Sequence, residues 1–317
     1  MARYIGVDIG GTNIVFGVVD EASNCLLFKK VATEADKGST HVIQTIAAHI
    51  LDLAEQTDEP ILAVGVGVPG FVDHANGIAV SAVNLGWENY PVVAELEKLI
   101  TIPIYINNDV RLYVYGEALA GAGRNYKHVL GVTLGTGIAS AMVNEGQLYY
   151  GSGNRAGELG HITMPGNTYA CKCGLVGCLE TIASANGIVR QAKDAIIQGG
   201  NSLLKLWYPG DQIDKVTALD VSNAYDQGDI LAIKVMEDTG VYLAKGLAYA
   251  INFYSPDLIV IGGGAAMAGE RLLGPMKRQL QASILPLYWE GLSITIAQRV
   301  EDAGIIGGAL YAKNQLS

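Results

Sequence analysis

The chain has 317 residues, half of them hydrophobic, and a formal net charge of −10 at neutral pH. That length is enough for two medium domains with buried cores. No apolar run approaches the ~18 residues of a membrane span, and no basic cluster offers the positive footprint that a nucleic-acid surface needs. The acidic balance leaves phosphate ligands open, because backbone N–H groups hold anions without Lys or Arg. The opening run MARYIGVDIGG enters a strand at once, without a basic segment and a long apolar stretch, so no signal peptide and a cytoplasmic location are expected. The 40 glycines fall in doublets and triplets between apolar runs, as tight turns at a ligand site would require.

In chain order, YIGVDI, IVFGVVD and CLLFKKVAT read as three strands joined by short turns. STHVIQTIAAHILDLAEQT has helical periodicity through Val42, Ile46, Ile50 and Leu53, with Ser39 or Thr40 as candidate caps. ILAVGVGVP is a short buried strand ending at Pro69-Gly70. PVVAELEKLI is a helix with Pro91 in its first turn. PIYINND is a further strand, and VRLYVYGEALAGAG a helix leaving its end. A second strand set begins at HVLGVTLGTGIASAMVNEGQLYYG. Beyond a Cys-rich segment the chain turns mostly helical. ILAIKVMEDTGVYLAKGLAYAINFY predicts one long apolar helix, and DLIVIGGG a strand running into a Gly turn. GERLLGPMKRQLQASI predicts a helix interrupted at Gly274-Pro275, and EDAGIIGGALYAKNQ a last helix with small residues on one side. The order suggests two α/β halves of similar build, joined near AGAGRNY (residues 120–126).

Several stretches carry chemistry. DIGGTN, Asp8 to Asn13, is either an ordinary hairpin turn or a phosphate-binding turn. In the second case Gly10 and Gly11 admit the backbone to an anion, Thr12 offers a hydroxyl, and Asp8 could hold Mg²⁺ through water. No P-loop pattern is present. TLGTGI, with Gly135 and Thr136, opens the second half in the same style, and two such turns suit a polyphosphate clasped from both sides. IVIGGGAAM, with Gly263 and Gly264, adds a third Gly turn after a strand, without the setting of a dinucleotide fold. YINNDV places Asn107, Asn108 and Asp109 at the end of a buried strand, where they either cap a helix or stand where open α/β sheets hold ligands. A carboxylate there can accept a hydroxyl proton in phosphoryl transfer.

GHITMPGNTYACKCGLVGCLE, residues 160–180, holds three of the four cysteines. A disulfide is disfavoured in a reducing compartment and by the closeness of Cys171 and Cys173. His161, Cys171, Cys173 and Cys178 form a Cys₃His set for a structural, tetrahedral Zn²⁺; buried apolar cysteines are the alternative. Zinc on one ring nitrogen of His161 would leave the other for a neighbour. Glu158 and Glu180, bracketing the segment, are either acceptors for the hydroxyls of a sugar or solvated surface charges.

Together DIGGTN, GVGVPGFVD, NLGW, NND, LGTGI, GNRAGELGH, CKCGLVGCLE and VIGGG resemble the ROK family of bacterial sugar kinases and sugar-responsive repressors. The resemblance runs nearly the whole chain, and its most specific part is Gly157 to Glu180. It implies a two-domain α/β fold of the actin and hexokinase (ribonuclease H-like) type with ATP and sugar in the cleft. The expected domains are a smaller one at residues 1–120, completed by a C-terminal helix at 302–317, and a larger one at 121–301 carrying the zinc knuckle. By match to the family motifs, Asp109 would be the catalytic base, and Asn84, Asn108, Glu158, His161 and Glu180 would contact the sugar. Asp8, Gly10, Gly11, Thr12, Gly135, Thr136, Gly263 and Gly264 would line the nucleotide and its Mg²⁺. The metal set would be His161, Cys171, Cys173 and Cys178, and a homodimer is expected. Many relatives carry Lys after GGT where this chain has Asn13, so a phosphate-holding role for that lysine does not carry over.

Repressor members bear a DNA-binding module before the sugar domain, and only seven residues precede Asp8, which favours a kinase. The expectation is an ATP-dependent hexose kinase, foremost a glucokinase acting on the C6 hydroxyl of glucose, with ATP, Mg²⁺ and structural Zn²⁺ as cofactors and no nucleic-acid or membrane partner. The alternatives are a kinase for N-acetylmannosamine, fructose, mannose or allose, a non-catalytic sugar-binding regulator, and a zinc-knuckle interaction protein.

Overall fold

A computed structural model describes residues 2–316. The strands and helices in chain order are β1 (Arg3–Ile9), β2 (Asn13–Asp20), β3 (Cys25–Ala32), α1 (Ser39–Glu55), β4 (Ile61–Val68), β5 (Phe71–Asp73), β6 (Ile78–Ala82), β7 (Trp87–Tyr90), α2 (Val92–Glu97), β8 (Ile104–Asn108) and α3 (Asp109–Ala120). Then come β9 (His128–Leu134), β10 (Ile138–Asn144), β11 (Gln147–Leu148), α4 (Glu180–Ala183), α5 (Ala185–Ile197), α6 (Leu203–Trp207), α7 (Ala218–Asp226), α8 (Ile230–Tyr254), β12 (Leu258–Gly262), α9 (Glu270–Gln281), α10 (Pro286–Gly291), β13 (Ser293–Ile296) and α11 (Ala303–Gln315). Two five-stranded sheets share one topology, β3-β2-β1-β4-β8 and β11-β10-β9-β12-β13, and β5-β6-β7 form a small third sheet. The halves read from the element order thus have the same strand arrangement.

The chain divides into two compact units. The first runs to Val129 and takes in Ala141–Ala156 and the tail from Ala297; the second comprises Leu130–Ser140 and Gly157–Ile296. Relative to the expected boundary at 120/121, the first unit also holds the end of β10, β11 and the loop after it. That loop is tied to α3, because the Arg111 guanidinium donates to the carbonyls of Asn154 (2.7 Å) and Ala156 (3.1 Å). Residues 120–126 form a turn inside the first unit, pinned by Gly121 and Gly123 N–H groups on the Glu117 carbonyl.

In the first unit β1 and β4 are buried along nearly their whole length, as expected for parallel strands covered on both faces. One face packs Ile5, Val7, Phe16, Val64 and Val66 against Ile46 and Ile50 of α1. The other packs Tyr4, Val19 and Ala63 against Ile305, Ile306 and Ala309 of α11. The small residues of α11 explain how close that second contact is. A Cβ on Gly6 would lie 1.7 Å from the Ile305 carbonyl oxygen, and one on Gly307 1.7 Å from that of Leu112. The helix therefore seats backbone to backbone on β1 and α3.

Two local expectations are corrected. Helix α1 begins at Ser39 with Gly38 as its N-cap and no side-chain cap, so neither Ser39 nor Thr40 caps it. Helix α9 runs unbroken through Pro275. One lost backbone hydrogen bond is tolerated because Leu272, Leu273 and Met276 are buried and Gly240 of α8 lets the helices meet closely, with Pro275 2.9 Å from where a Cβ on Gly240 would stand. Among the described residues no helix is long and apolar enough to cross a membrane.

Candidate functional site

In the first unit, strand register builds the site. β1 pairs in parallel with β4 and β4 with β8, placing Asp8 beside Gly67, Gly67 beside Asn107, and Val68 beside Asn108. Asp8, Asn108 and Asp109 thus meet at the C-terminal edge of three adjacent parallel strands, where such sheets hold ligands. Asn108 caps α3 by accepting from the Arg111 N–H at 3.0 Å, and its amide donates to the Gly70 carbonyl and to Asp109 Oδ1, both at 2.9 Å. Asp109 Oδ1 also accepts from the Val110 N–H at 2.8 Å. The residue that caps the helix thus also orients the aspartate. Its Oδ1 accepts both of these hydrogen bonds.

Both carboxylates are only partly exposed and closely surrounded. Burial raises Asp109 to about 6, outweighing the hydrogen bonds from Val110 and Asn108. Burial, then the neighbouring Asp109 charge, raises Asp8 to about 7. A carboxylate displaced in this way is a better proton acceptor near neutral pH than an ordinary one. The DIGGTN turn closes on itself through Gly10 N–H to the Asn13 carbonyl (2.9 Å) and is anchored by the Thr33 hydroxyl on the Gly10 carbonyl (2.7 Å). Gly11 and Thr12 are exposed. Asn84 stands close by, 3.5 Å from where a Cβ on Gly11 would be.

Sequence reasoning passed over the support behind Asp109. Asn107 is fully buried; its amide donates to Tyr150 Oη at 2.8 Å and its Oδ1 accepts from the Asn108 N–H at 2.9 Å. Tyr150 is packed against the His74 ring, with centroids 4.3 Å apart, and lies under the Arg111 guanidinium. These partners come from distant parts of the chain, so no local motif signals them.

In the second unit the Cys-rich segment forms a small knuckle. Short bridges pair Thr163 with Cys178 and Ala170 with Val176. The buried Asn167 amide donates to the Cys178 carbonyl and to Thr181 Oγ1, both at 2.9 Å. Gly174 and Gly177 adopt positive φ, 95° and 87°, which a side chain would strain. The result gathers one ligand atom each from His161, Cys171, Cys173 and Cys178 within 4.8 Å of one another. Cys173 and Cys178 Sγ are 3.6 Å apart, and Cys171 Sγ lies 3.8 Å from His161 Nδ1. Tetrahedral zinc with Zn–S bonds of about 2.3 Å sets its ligand atoms roughly 3.7 Å apart, so donor chemistry and spacing both fit. His161 turns Nδ1 to the cysteines and Nε2 toward Glu158, 3.8 Å away. Glu180 Oε1 is 3.8 Å from His161 Nδ1 and 3.1 Å from Cys171 Sγ. The two glutamates therefore flank the imidazole.

The second-half glycine turns meet in the same unit. Gly135, Thr136 and Gly264 line a cavity of about 450 Å³ whose other walls are largely apolar, including Ile188, Leu219 and Met236. Gly263, at φ 85°, packs against the backbone of Leu134, 2.6 Å from where its Cβ would stand. Gly137 was not singled out from sequence, yet a Cβ there would lie 2.4 Å from Glu180 Oε2. The TLGTGI turn thus makes room for the glutamate as well as lining the cavity.

A mixed α/β chain with two like sheets, an aspartate at the end of β8 and glycine turns in both halves defines the actin and hexokinase-like fold class. The ROK family profile matches residues 4–315, and the chain belongs to the ROK family. It is 36% identical over 316 residues to a glucokinase of Halalkalibacterium halodurans, covering 98% of this chain and 95% of that one. A glucokinase of Thermotoga maritima is 35% identical, with 99% and 98% covered. A ROK glucokinase from Streptomyces griseus, solved in complex with glucose and AMPPNP, superposes with a TM-score of 0.80 at 31% identity, covering 98% of this chain and 99% of that one.

Proposed function

We propose that the protein is an ATP-dependent hexose kinase that transfers the γ-phosphoryl group of ATP to the C6 hydroxyl of glucose. The observation that carries the reading is Asp109: a hydrogen-bonded carboxylate at the end of β8, raised to about 6. The glucokinases above, similar over their full lengths, support the same activity. Asp109 Oδ2 takes the proton of the C6 hydroxyl as its oxygen bonds to the γ-phosphorus and ADP leaves. In the first unit Asn84 and Asn108 bond sugar hydroxyls, and Gly10, Gly11 and Thr12 present backbone and hydroxyl groups to phosphate. In the second, Glu158 and Glu180 accept from sugar hydroxyls and His161, with Nδ1 turned to the cysteines, donates its Nε2–H to one, while Gly135, Thr136, Gly263 and Gly264 hold the nucleotide. Asp8, beside the Asp109 carboxylate, would hold Mg²⁺, which would supply charge neutralisation at the phosphates. His161, Cys171, Cys173 and Cys178 would hold Zn²⁺, and that bond would fix the imidazole. A cytoplasmic homodimer, with domains 1–120 plus 302–317 and 121–301, belongs to the same reading on the family resemblance.

The test is a coupled ADP-release assay with MgATP over a panel of hexoses and N-acetylhexosamines. Glucose should give the highest kcat/KM. A larger value for another sugar would move the assignment to that sugar, and sugar binding without ADP would make the protein a regulator.

A further inference from the structure

Asn107, fully buried, stands directly before Asn108 and Asp109 at the end of β8. The buried positions around it are apolar, Val66 and Ile106 among them. A polar side chain so placed is tolerated only when its hydrogen-bonding groups are paired. The Asn108 N–H can only donate, so the Asn107 atom that meets it is the carbonyl oxygen, and the amide nitrogen is left to face Tyr150. The Tyr150 hydroxyl is therefore the acceptor that fixes which way Asn107 turns. The Tyr311 hydroxyl, on α11, hydrogen-bonds to the same pair. All of these residues belong to the first unit.

The ring of Tyr150 reaches the strand end by a second route. The Arg111 guanidinium lies over it, 5.3 Å from the centroid, and the Arg111 N–H donates to Asn108 Oδ1. Hydroxyl and ring thus converge on Asn108, whose amide donates to Asp109 Oδ1 at 2.9 Å. We infer that Tyr150 is a positioning residue for phosphoryl transfer: it holds Asn108, and through it the Asp109 carboxylate, in the orientation that takes the sugar proton. This rests on the kinase reading and deepens it. A linked set of buried hydrogen bonds restricts a side chain more than packing alone, and rate depends steeply on where the reacting groups stand.

Tyr150→Phe removes the hydroxyl and keeps the ring under Arg111. With MgATP and glucose, kcat should fall about 3- to 10-fold, the effect of one net hydrogen bond, and KM for ATP should not move. The assay is run well below the melting temperature of both proteins, so that lost stability does not enter kcat. A structural hydroxyl would lower the melting temperature and leave kcat at the wild-type value, a result that overturns the inference. The route is tested with Asn107→Ala, alone and combined with Tyr150→Phe. If the hydroxyl acts through Asn107, the double variant should lose no more kcat than Asn107→Ala alone; losses that multiply overturn the inference. Should Asn107→Ala fail to fold, kcat of Tyr150→Phe decides alone. A wild-type protein with no turnover rejects the kinase reading itself, a distinct outcome that takes this inference with it.

Discussion

Replacing Gly137 by alanine isolates the geometry of Glu180, one of the acceptors proposed for the sugar. The new Cβ would stand 2.4 Å from Glu180 Oε2, while the next nearest atom, Glu180 Cδ, is 3.6 Å away. Ordinary carbon–oxygen contact begins near ~3.4 Å, so the carboxylate must move by about 1 Å. The atom displaced is the end of a flexible side chain, and Gly137 has no positive φ, so the fold should absorb the change. The melting temperature should fall by no more than about 2 °C, as for a substitution that strains no backbone. Catalysis should not absorb it, because a misplacement of about 1 Å can lower the rate ~10²-fold. Steady-state kinetics should show kcat/KM for glucose reduced about 10- to 100-fold with KM for ATP nearly unchanged. A folded Gly137→Ala protein with wild-type kcat/KM for glucose would refute the placement of Glu180 at the substrate.

Three further predictions address the carboxylates and the metal. The folded Asp8 and Asp109 are raised above their ordinary 3.8 to about 7 and about 6; the folded protein therefore binds more protons than the unfolded one between pH ~4 and ~7, and the stability they give is present at low pH and lost as pH rises through those values. Asp109→Asn should make the ligand-free protein more stable at pH 8, by at most about 3 kcal/mol for the displacement from 3.8 to about 6, and denaturant melts at pH 5 and pH 8 measure it. The wild-type kcat/KM for glucose should rise with pH along an acid limb near 6 as Asp109 ionises, and a flat profile from pH 5 to 8 would remove it as the base. Elemental analysis of Cys173→Ala should show lost zinc together with weaker glucose binding, because the metal would fix His161; full zinc content or unchanged glucose affinity would separate the knuckle from the sugar.

Much of this was legible because the sequence repeats its signals at several levels. The run Ile230–Tyr254 is apolar, long and free of Pro, and it forms one 25-residue helix capped by Asp229. The alternation in Cys25–Ala32 gives a strand with one exposed face. The four zinc-type ligands fall within 18 residues, so their gathering depends on one local knuckle. The strands β5, β6 and β7 were missed, being only three to five residues long and broken by Gly and Asn turns. Pro275 misled because local propensity is weaker than the packing of α8 against α9. Gly137 was not read, and Asn107 was read only as part of the strand end: what matters is the approach of Glu180 to the one and the reach of Tyr150 to the other, contacts between chain segments far apart in sequence.

The central claim concerns one proton acceptor, and product formation tests it most directly. With MgATP and glucose, the wild-type protein should form glucose 6-phosphate and ADP in equal amounts, while a folded Asp109→Asn protein should turn over at least ~10²-fold more slowly with glucose binding retained. Near-normal turnover in Asp109→Asn, or no sugar phosphate from the wild type, would contradict the account.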